Sequence, residues 1–207
     1  MSDTDLLPIV LTARRNNWRA FMTRKSNKNF KKRRVQILQR DENTCRYCGF
    51  HSDKYQEVVN IDHDYKNNTM ENMATACVFC AQCFFLDSLT LDNNSGGTII
   101  YLPEFSQADL NHFCRILFSA LDKESAYKSK LQSAFLSLKD RSAPVENCFG
   151  PESSCPQVFG QGLIDAYLDD EQLNHPLLQN LRLLPARNMF NKQIQYWKQT
   201  VFAKVPL

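Results

Sequence analysis

Two pairs of cysteines are the residues whose type and spacing point most directly to chemistry. Cys45 and Cys48 form one C-x2-C pair, and Cys77 and Cys80 form a second. Each C-x2-C turn presents two thiolates from one tight knuckle, and four thiolates satisfy the tetrahedral coordination of structural zinc. Gly49 follows the first pair, where a sharp reversal is easiest without a Cβ. The spacing predicts one structural Zn²⁺ whose binding energy is folding energy.

The cysteine content favours metal binding over disulfide bonds. The chain has eight cysteines, and five of them fall between positions 45 and 83. The first ten residues, MSDTDLLPIV, contain two acids and no basic segment, which is not the pattern of a signal peptide. We therefore expect a cytoplasmic protein. Thiols stay reduced in the cytoplasm, so the cysteines would remain available to a metal.

Cys83 leaves the set of metal ligands open at the level of spacing. It follows Cys80 by three residues, so Cys77, Cys80 and Cys83 could share one face of a helix. The pair Cys80 and Cys83 could then replace Cys77 and Cys80. Cys114 lies in an apolar helical pattern and is typical of a core residue.

The segment between the cysteine pairs holds further residues that could do chemistry. Asp62 and His63 follow a predicted strand, and Asn72 lies five residues before Cys77. Together with the flanking cysteine pairs, this arrangement resembles the HNH nuclease module with a zinc knuckle. The resemblance implies that Asp62 would bind a divalent metal, His63 would activate water as a general base and Asn72 would orient that base.

The chain departs from the HNH pattern where the cutting centre should be completed. The family has a histidine directly after the second cysteine pair, and this chain has Ala81 there. Phe84 and Phe85 occupy positions that are usually polar or basic. Because one metal ligand is missing, we expect no catalytic residue and interpret the hairpin positions as vestigial, in a degenerate HNH fold used as a scaffold. The alternative is an active HNH-type, metal-dependent endonuclease.

Local patterns predict the elements that position these residues. Residues 35–40 have apolar positions three apart, which indicates the end of a helix. Residues 55–61 and 98–102 carry the β-branched residues typical of strands. Ser106 and Asp109 form a capping-box pattern before a 3.6-residue apolar repeat, which predicts a further helix.

These elements predict an α+β fold in which a small HNH-like ββα zinc module is embedded in a mainly helical domain. An apolar content of 43% excludes a wholly disordered chain, and the length suits a single domain over residues 1–207. Within it we expect a basic helix and the zinc module at 24–86, a strand and helical hairpin at 98–140, a loop at 141–160 and C-terminal helices at 161–207. The last group includes a leucine-rich helix broken at Pro185.

Charge is unevenly distributed, although the net charge is only +3. Residues 1–40 hold 11 lysines and arginines against two aspartates, whereas the rest of the chain holds 14 basic and 20 acidic residues. The basic run at 24–34 could meet an acidic protein segment or anionic lipid, or form a solvated helix face. A nucleic-acid-binding protein is another alternative, but the acidic remainder argues against it. No apolar run is long enough to cross a membrane.

Longer segments extend the resemblance over nearly the whole chain. They are ATACVFCAQCFFLDS, GGTIIYLPEFSQADLN and QNLRLLPARNMFNKQIQYW, together with YKS at 127–129 and VFGQ at 158–161. On these segments the chain is identified as a member of the IcmJ/DotN family of the Dot/Icm type IV secretion system. The four paired cysteines lie where that family has its zinc ligands, which favours Cys77 and Cys80 over a set containing Cys83.

The family resemblance implies a fold similar to HNH nucleases without a known cleaving activity. It implies a non-enzymatic subunit of the coupling complex at the cytoplasmic face of the inner membrane. There the chain would bind the C-terminal extension of the coupling ATPase DotL, alongside DotM and the adaptors IcmS and IcmW. That complex recruits effector proteins for export, so we expect a zinc-stabilised scaffold for protein–protein interaction.

Overall fold

The computed structural model describes residues 6–89, 96–121, 127–166 and 175–203. The helices are α1 (Asn17–Arg24), α2 (Lys28–Arg40), α3 (Val78–Ala81), α4 (Gln107–Ala120), α5 (Lys128–Asp140), α6 (Ala143–Phe149), α7 (Pro156–Asp165), α8 (Pro176–Gln179) and α9 (Asn191–Gln199). The strands are β1 (Gln56–Asn60), β2 (Met73–Cys77), β3 (Gly97–Tyr101) and β4 (Leu181–Pro185). The predicted α+β class is confirmed. None of the helices in these ranges combines the length and the apolar content needed to cross a bilayer.

Two antiparallel strand pairs make up the sheets of the described residues. β1 pairs with β2 in a register that places Gln56 opposite Cys77. β3 pairs with β4, with Gly97 opposite Pro185. Both strands that the β-branched patterns predicted, β1 and β3, are confirmed. Because α3 follows β2 directly, the order of these elements is the ββα order expected of the zinc module.

Polar side chains fix the starts of α2 and α4. The Asn27 side chain accepts hydrogen bonds from the backbone N–H groups of Asn29 and Phe30, at 2.8 and 3.1 Å. At α4, the Ser106 hydroxyl accepts from the Asp109 N–H at 3.1 Å, and the Asp109 carboxylate accepts from the Ser106 N–H at 3.2 Å. The predicted capping box is therefore confirmed. It gives hydrogen-bond partners to two backbone N–H groups that the start of a helix would otherwise leave without them.

One hydrophobic core joins the ββα unit to α4, α7 and α9. Its largest buried side chains are Trp197, Phe79, Phe84, Phe85 and Phe118. A second, smaller cluster lies under α2 and contains Phe30, Ile37, Val58 and Met73. Since neighbouring residues of a strand point to opposite faces, α2 covers one face of the β1–β2 hairpin and the main core covers the other.

The segment before α1 is held against the ββα unit by backbone hydrogen bonds. The Leu7 N–H donates to the Arg46 carbonyl at 2.8 Å, and the Thr12 N–H donates to the Cys83 carbonyl at 2.9 Å. The Thr12 carbonyl in turn accepts from the Leu86 N–H at 3.2 Å. The sequence did not indicate whether this segment would be ordered, and these pairings fix it from residue 6 onward.

The expectation of a loop at 141–160 is wrong, because this range contains α6 and the first half of α7. Pro144 lies in the first turn of α6, and Pro156 is the first residue of α7. Proline is favourable there because its missing N–H would have no partner inside the helix. Gly150, with a φ of +97°, ends α6. The residues that suggested a loop are those that start and stop two short helices.

Gly160 lies inside α7 for a packing reason. A Cβ at this position would lie 2.5 Å from the Asp87 backbone nitrogen, in the short 3-10 helix Leu86–Ser88. Without a side chain, α7 can approach that turn closely, and the contact compensates for the poor helix propensity of glycine.

The expectation of helices throughout 161–207 is wrong at 181–185, where the chain forms β4. Of the leucines that suggested a helix broken at Pro185, Leu177 and Leu178 lie in the single turn of α8 and Leu181 begins this strand. Leu173 lies outside the described residues. Gln107 of α4 fixes the strand, because its side-chain amide donates to the Leu183 carbonyl at 2.9 Å and accepts from the Leu183 N–H at 2.8 Å. The final helix, α9, is present and buries Ile194 and Trp197.

Candidate metal centre

The first cysteine pair lies in a tight turn whose flanking residues form an isolated antiparallel β-bridge. Thr44 and His51 pair across the turn, and the Cys45 N–H donates to the Phe50 carbonyl at 3.0 Å. Gly49 has a φ of +71° and donates its N–H to the Cys45 carbonyl at 2.8 Å. The positive φ is the conformation for which the sequence predicted a glycine.

The second cysteine pair lies at the junction of β2 and α3. Cys77 is the last residue of β2 and the residue that precedes α3, and Cys80 lies one turn further along that helix. The two knuckles are joined by a backbone hydrogen bond from the Arg46 N–H to the Thr75 carbonyl, at 2.8 Å. The ββα unit thereby brings together two turns that are about 30 residues apart in sequence.

The four sulfur atoms form a compact buried cluster. The Sγ atoms of Cys45, Cys48, Cys77 and Cys80 all lie within 4.8 Å of one another. The Cys48 and Cys77 sulfurs are 3.7 Å apart. A tetrahedral zinc site with Zn–S bonds of about 2.3 Å has sulfur atoms about 3.8 Å apart. These four residues could therefore hold a metal ion, and the donor set fits zinc.

The electrostatics of the cluster favour a bound cation. Burial raises the pKa of the Cys45 and Cys80 thiols well above their ordinary value. Hydrogen bonds from the other cysteines, Cys45 first among them, lower the pKa of Cys48. Four negative sulfurs cannot be accommodated at this separation in a dry interior without a positive charge between them.

Helix α4 adds polar groups that the sequence analysis missed. The Asn111 side-chain amide donates to Cys80 Sγ at 3.3 Å, and Arg115 Nη2 donates to Cys77 Sγ at 3.2 Å. The His112 ring donates from Nε2 to the Cys48 carbonyl at 2.6 Å. The only signal in the sequence was polar residues on one side of an otherwise apolar helix, at positions that a core-packing interpretation leaves unexplained.

Arg115 is a deeply buried guanidinium enclosed by aromatic rings. It is 1% exposed, and its Cζ lies 3.9 Å from the centroid of the Phe50 ring. The rings of Phe79 and Trp197 lie at 5.3 and 5.6 Å. Burial lowers the pKa of Arg115, but the charges of the neighbouring cysteines, Cys77 first, outweigh that effect and raise it.

Cys83 and Cys114 are buried outside the sulfur cluster. The Cys83 thiol donates to the Phe79 carbonyl at 3.4 Å, one helical turn back. Burial raises the pKa of Cys114 to about 12, which is typical of an inert thiol in a core. In the described residues, the cluster that could hold a metal contains Cys77 and Cys80 and omits Cys83.

Asp62 and Asn72 meet at the loop end of the β1–β2 hairpin, in the segment that joins the two strands. The Asn72 side-chain amide donates to the Asp62 carboxylate at 2.8 Å, and the Asp62 N–H donates to the Asn72 side-chain oxygen at 3.1 Å. Asn67 adds a third hydrogen bond to the carboxylate, at 2.7 Å. Partial burial would raise the pKa of Asp62, but these hydrogen bonds hold it below its usual value. The carboxylate thus closes the loop between the strands.

His63 lies next to Asp62 but packs on an aromatic ring. Its ring centroid is 4.9 Å from that of Phe84, and its backbone has a φ of +58°. Ala81, which stands where the HNH family has its last histidine, is buried and lines a small groove with Trp18 and Phe85. Over the described residues, no cluster of three metal-capable groups includes Asp62 or His63.

Part of the basic run at 24–34 forms hydrogen bonds within the protein. Arg24, at the end of α1, donates to the Val58 carbonyl and to the side-chain oxygens of Asn60 and Asn68. Arg34 of α2 donates to the Gln56 carbonyl at 2.8 Å. Burial lowers the pKa of Arg24 to about 10. The exposed lysines of α2 (Lys28, Lys31 and Lys32) remain available to an anionic partner.

Comparison with known proteins places the chain in a family. No protein-family model matches it. Type 4 apparatus protein DotN of Legionella pneumophila subsp. pneumophila, strain Philadelphia 1, is 44% identical over 197 residues. The match covers 95% of this chain and 92% of the Legionella protein. Identity at that level over nearly both full lengths confirms the resemblance found in the sequence, and the chain belongs to the IcmJ/DotN family.

Proposed function

We propose that this chain is a non-enzymatic subunit of a Dot/Icm type IV secretion coupling complex, braced by one structural Zn²⁺. The observation that carries the proposal is the 44% identity to a type 4 apparatus protein across 95% of the chain. The ligands of the zinc would be Cys45, Cys48, Cys77 and Cys80. Four thiolates complete a tetrahedron and leave no coordination position for substrate or water, so the metal would stabilise the fold and take no part in a reaction.

The proposed partner is the C-terminal extension of the coupling ATPase DotL, in a complex that also contains DotM, IcmS and IcmW. A subunit that binds an extended segment of another chain needs a rigid framework and an apolar groove. Helices α6, α7 and α8 supply such a groove of about 540 Å³, lined by Phe149, Val158, Phe159, Leu163, Leu177 and Leu178. Binding there would hold the chain at the cytoplasmic face of the inner membrane.

Co-expression with the C-terminal region of the coupling ATPase tests the proposal. We expect the two chains to purify as one complex that contains one zinc per copy of this chain, measured by elemental analysis. Leu177→Lys places a charge at the groove and should weaken the complex. Leu136→Lys on α5 is the matched control, because the two leucines are similarly exposed, at 54% and 58%. Equal binding by both variants would remove the groove from the proposal.

The alternative of an active HNH-type endonuclease draws support from one observation, the contact between Asp62 and Asn72, which brings two of the HNH positions together. The missing histidine at position 81 and the aromatic packing of His63 count against it. A nucleic-acid-binding role without chemistry would rest on the exposed lysines of α2. Binding through phosphate contacts weakens steeply with salt, so a gel shift that persists at physiological ionic strength would favour that role over the scaffold.

A further inference from the structure

Among the described residues, a buried positive charge beside the sulfur cluster has no carboxylate partner. Arg115 is 1% exposed, and in the described part of the chain no ion pair includes it. Removing a guanidinium from water is unfavourable unless a nearby negative charge and hydrogen-bond acceptors compensate. Its Nη2 instead points at sulfur, 3.2 Å from Cys77 and 3.7 Å from Cys48.

We propose that Arg115 and Asn111 are the counter-charge and hydrogen-bond donors that retain the metal in the tetrathiolate centre. The proposal rests on the zinc site proposed above. Four thiolates around one Zn²⁺ leave two negative charges in a dry interior, and one guanidinium offsets one of them. Hydrogen bonds to thiolate sulfur disperse its charge further, which makes the sulfur less reactive towards protons and electrophiles.

The second donor reaches a different sulfur from the same helix. Asn111 donates to Cys80 at 3.3 Å, and its own side-chain oxygen accepts from Gln107 at 3.0 Å, which fixes the orientation of the amide. Arg115 is fixed by the Phe50 ring at 3.9 Å and by its hydrogen bond to His112 Nδ1 at 3.1 Å. Helix α4 therefore presents two oriented donors to three of the four sulfurs.

Arg24 offers a matched comparison within the same chain. It is 7% exposed, and its guanidinium lies over the rings of Phe21, Phe30 and Tyr65. Its hydrogen-bond acceptors are carbonyl and amide oxygens, with no sulfur among them. Replacing either arginine by methionine removes a buried charge from an aromatic setting, but only the change at 115 removes donors from the sulfurs.

The experiment compares zinc-loaded full-length wild type with Arg115→Met, Arg115→Lys and Arg24→Met. Zinc transfer to an excess of a chromophoric chelator is followed under conditions in which all four proteins are folded by circular dichroism. We expect Arg115→Met to release zinc at least about ten-fold faster than wild type, since outer-shell partners typically change metal affinity by that factor or more. Arg115→Lys should be intermediate, and Arg24→Met should release zinc at the wild-type rate.

A spectroscopic measurement separates retention of the metal from general stability. Cobalt(II) is loaded in place of zinc, and the sulfur-to-metal charge-transfer band is recorded. Loss of hydrogen bonds raises the energy of the sulfur lone pairs, so the band should move to longer wavelength in Arg115→Met and stay in place in Arg24→Met. If Arg115→Met does not fold, Asn111→Leu and Arg115→Lys are used in both measurements with the same direction of effect.

The outcomes distinguish this inference from the zinc proposal. Wild-type protein that binds neither zinc nor cobalt would overturn both. Wild-type protein that binds zinc, with release rates and cobalt bands unchanged at positions 111 and 115, would overturn the inference alone. Equal acceleration by Arg24→Met and Arg115→Met, with no band shift in either, would assign the effect to fold stability and would also overturn it.

Discussion

The sulfur cluster and the Asp62–His63 end of the hairpin belong to one ββα unit, yet they differ in every property that makes a metal site. The cysteine sulfurs are buried, come from two turns joined by the hairpin and receive hydrogen bonds from α4. The Asp62 carboxylate is exposed, and its hydrogen bonds come from its own loop. The sulfur cluster has four potential metal ligands enclosed by other elements. The Asp62–His63 end has a single carboxylate, which forms hydrogen bonds within its own loop.

The difference shows which part of such a module the fold requires. A metal held by the four buried cysteines would tie the turn that contains Cys45 and Cys48 to the junction of β2 and α3, so its loss would affect the core. A cutting centre at the loop end of the hairpin would require a further ligand after Cys80, and Ala81 contributes only packing there. Replacing that ligand by alanine would abolish phosphodiester cleavage and leave the fold intact. A subunit that only binds a partner needs the fold and not the cleavage.

The largest expected effect is at the sulfur cluster. Cys77→Ser should abolish cooperative unfolding and reduce the zinc content to near zero, because structural zinc contributes on the order of 10 kcal/mol, comparable to the stability of a whole domain. Circular dichroism melting and elemental analysis measure both. Cys148→Ser is the control, since this cysteine is exposed and lies outside the cluster. A Cys77→Ser protein with the wild-type melting temperature would show that the fold needs no metal.

The next effect separates stability from metal retention. Arg24→Met should lower the free energy of unfolding by about 3 kcal/mol, because it leaves the buried acceptors around Val58 and Asn60 without donors. The zinc content should not change. Chemical denaturation of the zinc-loaded protein measures the change, with the exposed Lys28→Met on α2 as control. A loss of zinc together with stability would indicate that the α2 side of the hairpin also supports the cluster.

The sequence predicted those parts of the fold that local chemistry determines. The end of α2 at Arg40, the strands β1 and β3, the capping box at Ser106 and the grouping of four cysteines all follow from short-range patterns. For the helix end, the strands and the capping box, the residues that carry the signal also make the contact, so spacing alone was enough. For the cysteines, spacing left Cys83 open, and the family resemblance favoured the set that the structure groups.

Other parts depended on contacts that are distant in sequence. Pro156 starts α7, and Gly160 allows that helix to approach Asp87. Without knowledge of their neighbours in space, both residues indicate a loop and not a helix. β4 is a strand because β3 and Gln107 pair with it. Arg115 lies 38 positions from Cys77, so no motif could connect the two.

A moderate effect is expected at the start of α4, the helix that carries the donors to sulfur. Ser106→Ala removes the side-chain oxygen that accepts from the Asp109 N–H, which should cost about 1 kcal/mol. Denaturant unfolding measures this change, and Ser129→Ala in α5 is an exposed control. Zinc release should stay at the wild-type rate, since the middle of α4 is fixed by Asn111 and Arg115 and does not depend on its first turn. Faster release would mean that fraying of α4 reaches the cluster.

The smallest expected effect is at the loop end of the hairpin. His63→Asn should change the free energy of unfolding by no more than about 0.5 kcal/mol, because asparagine tolerates the positive φ at this position. Plasmid incubated with Mg²⁺, Mn²⁺ or Ni²⁺ should remain intact with the wild type and the variant alike. Metal-dependent nicking by the wild type that disappears in His63→Asn would show that the imidazole still acts as a base. The sulfur cluster and the Asp62–His63 end would then differ in burial but not in the ability to support chemistry, and the protein would also be an enzyme.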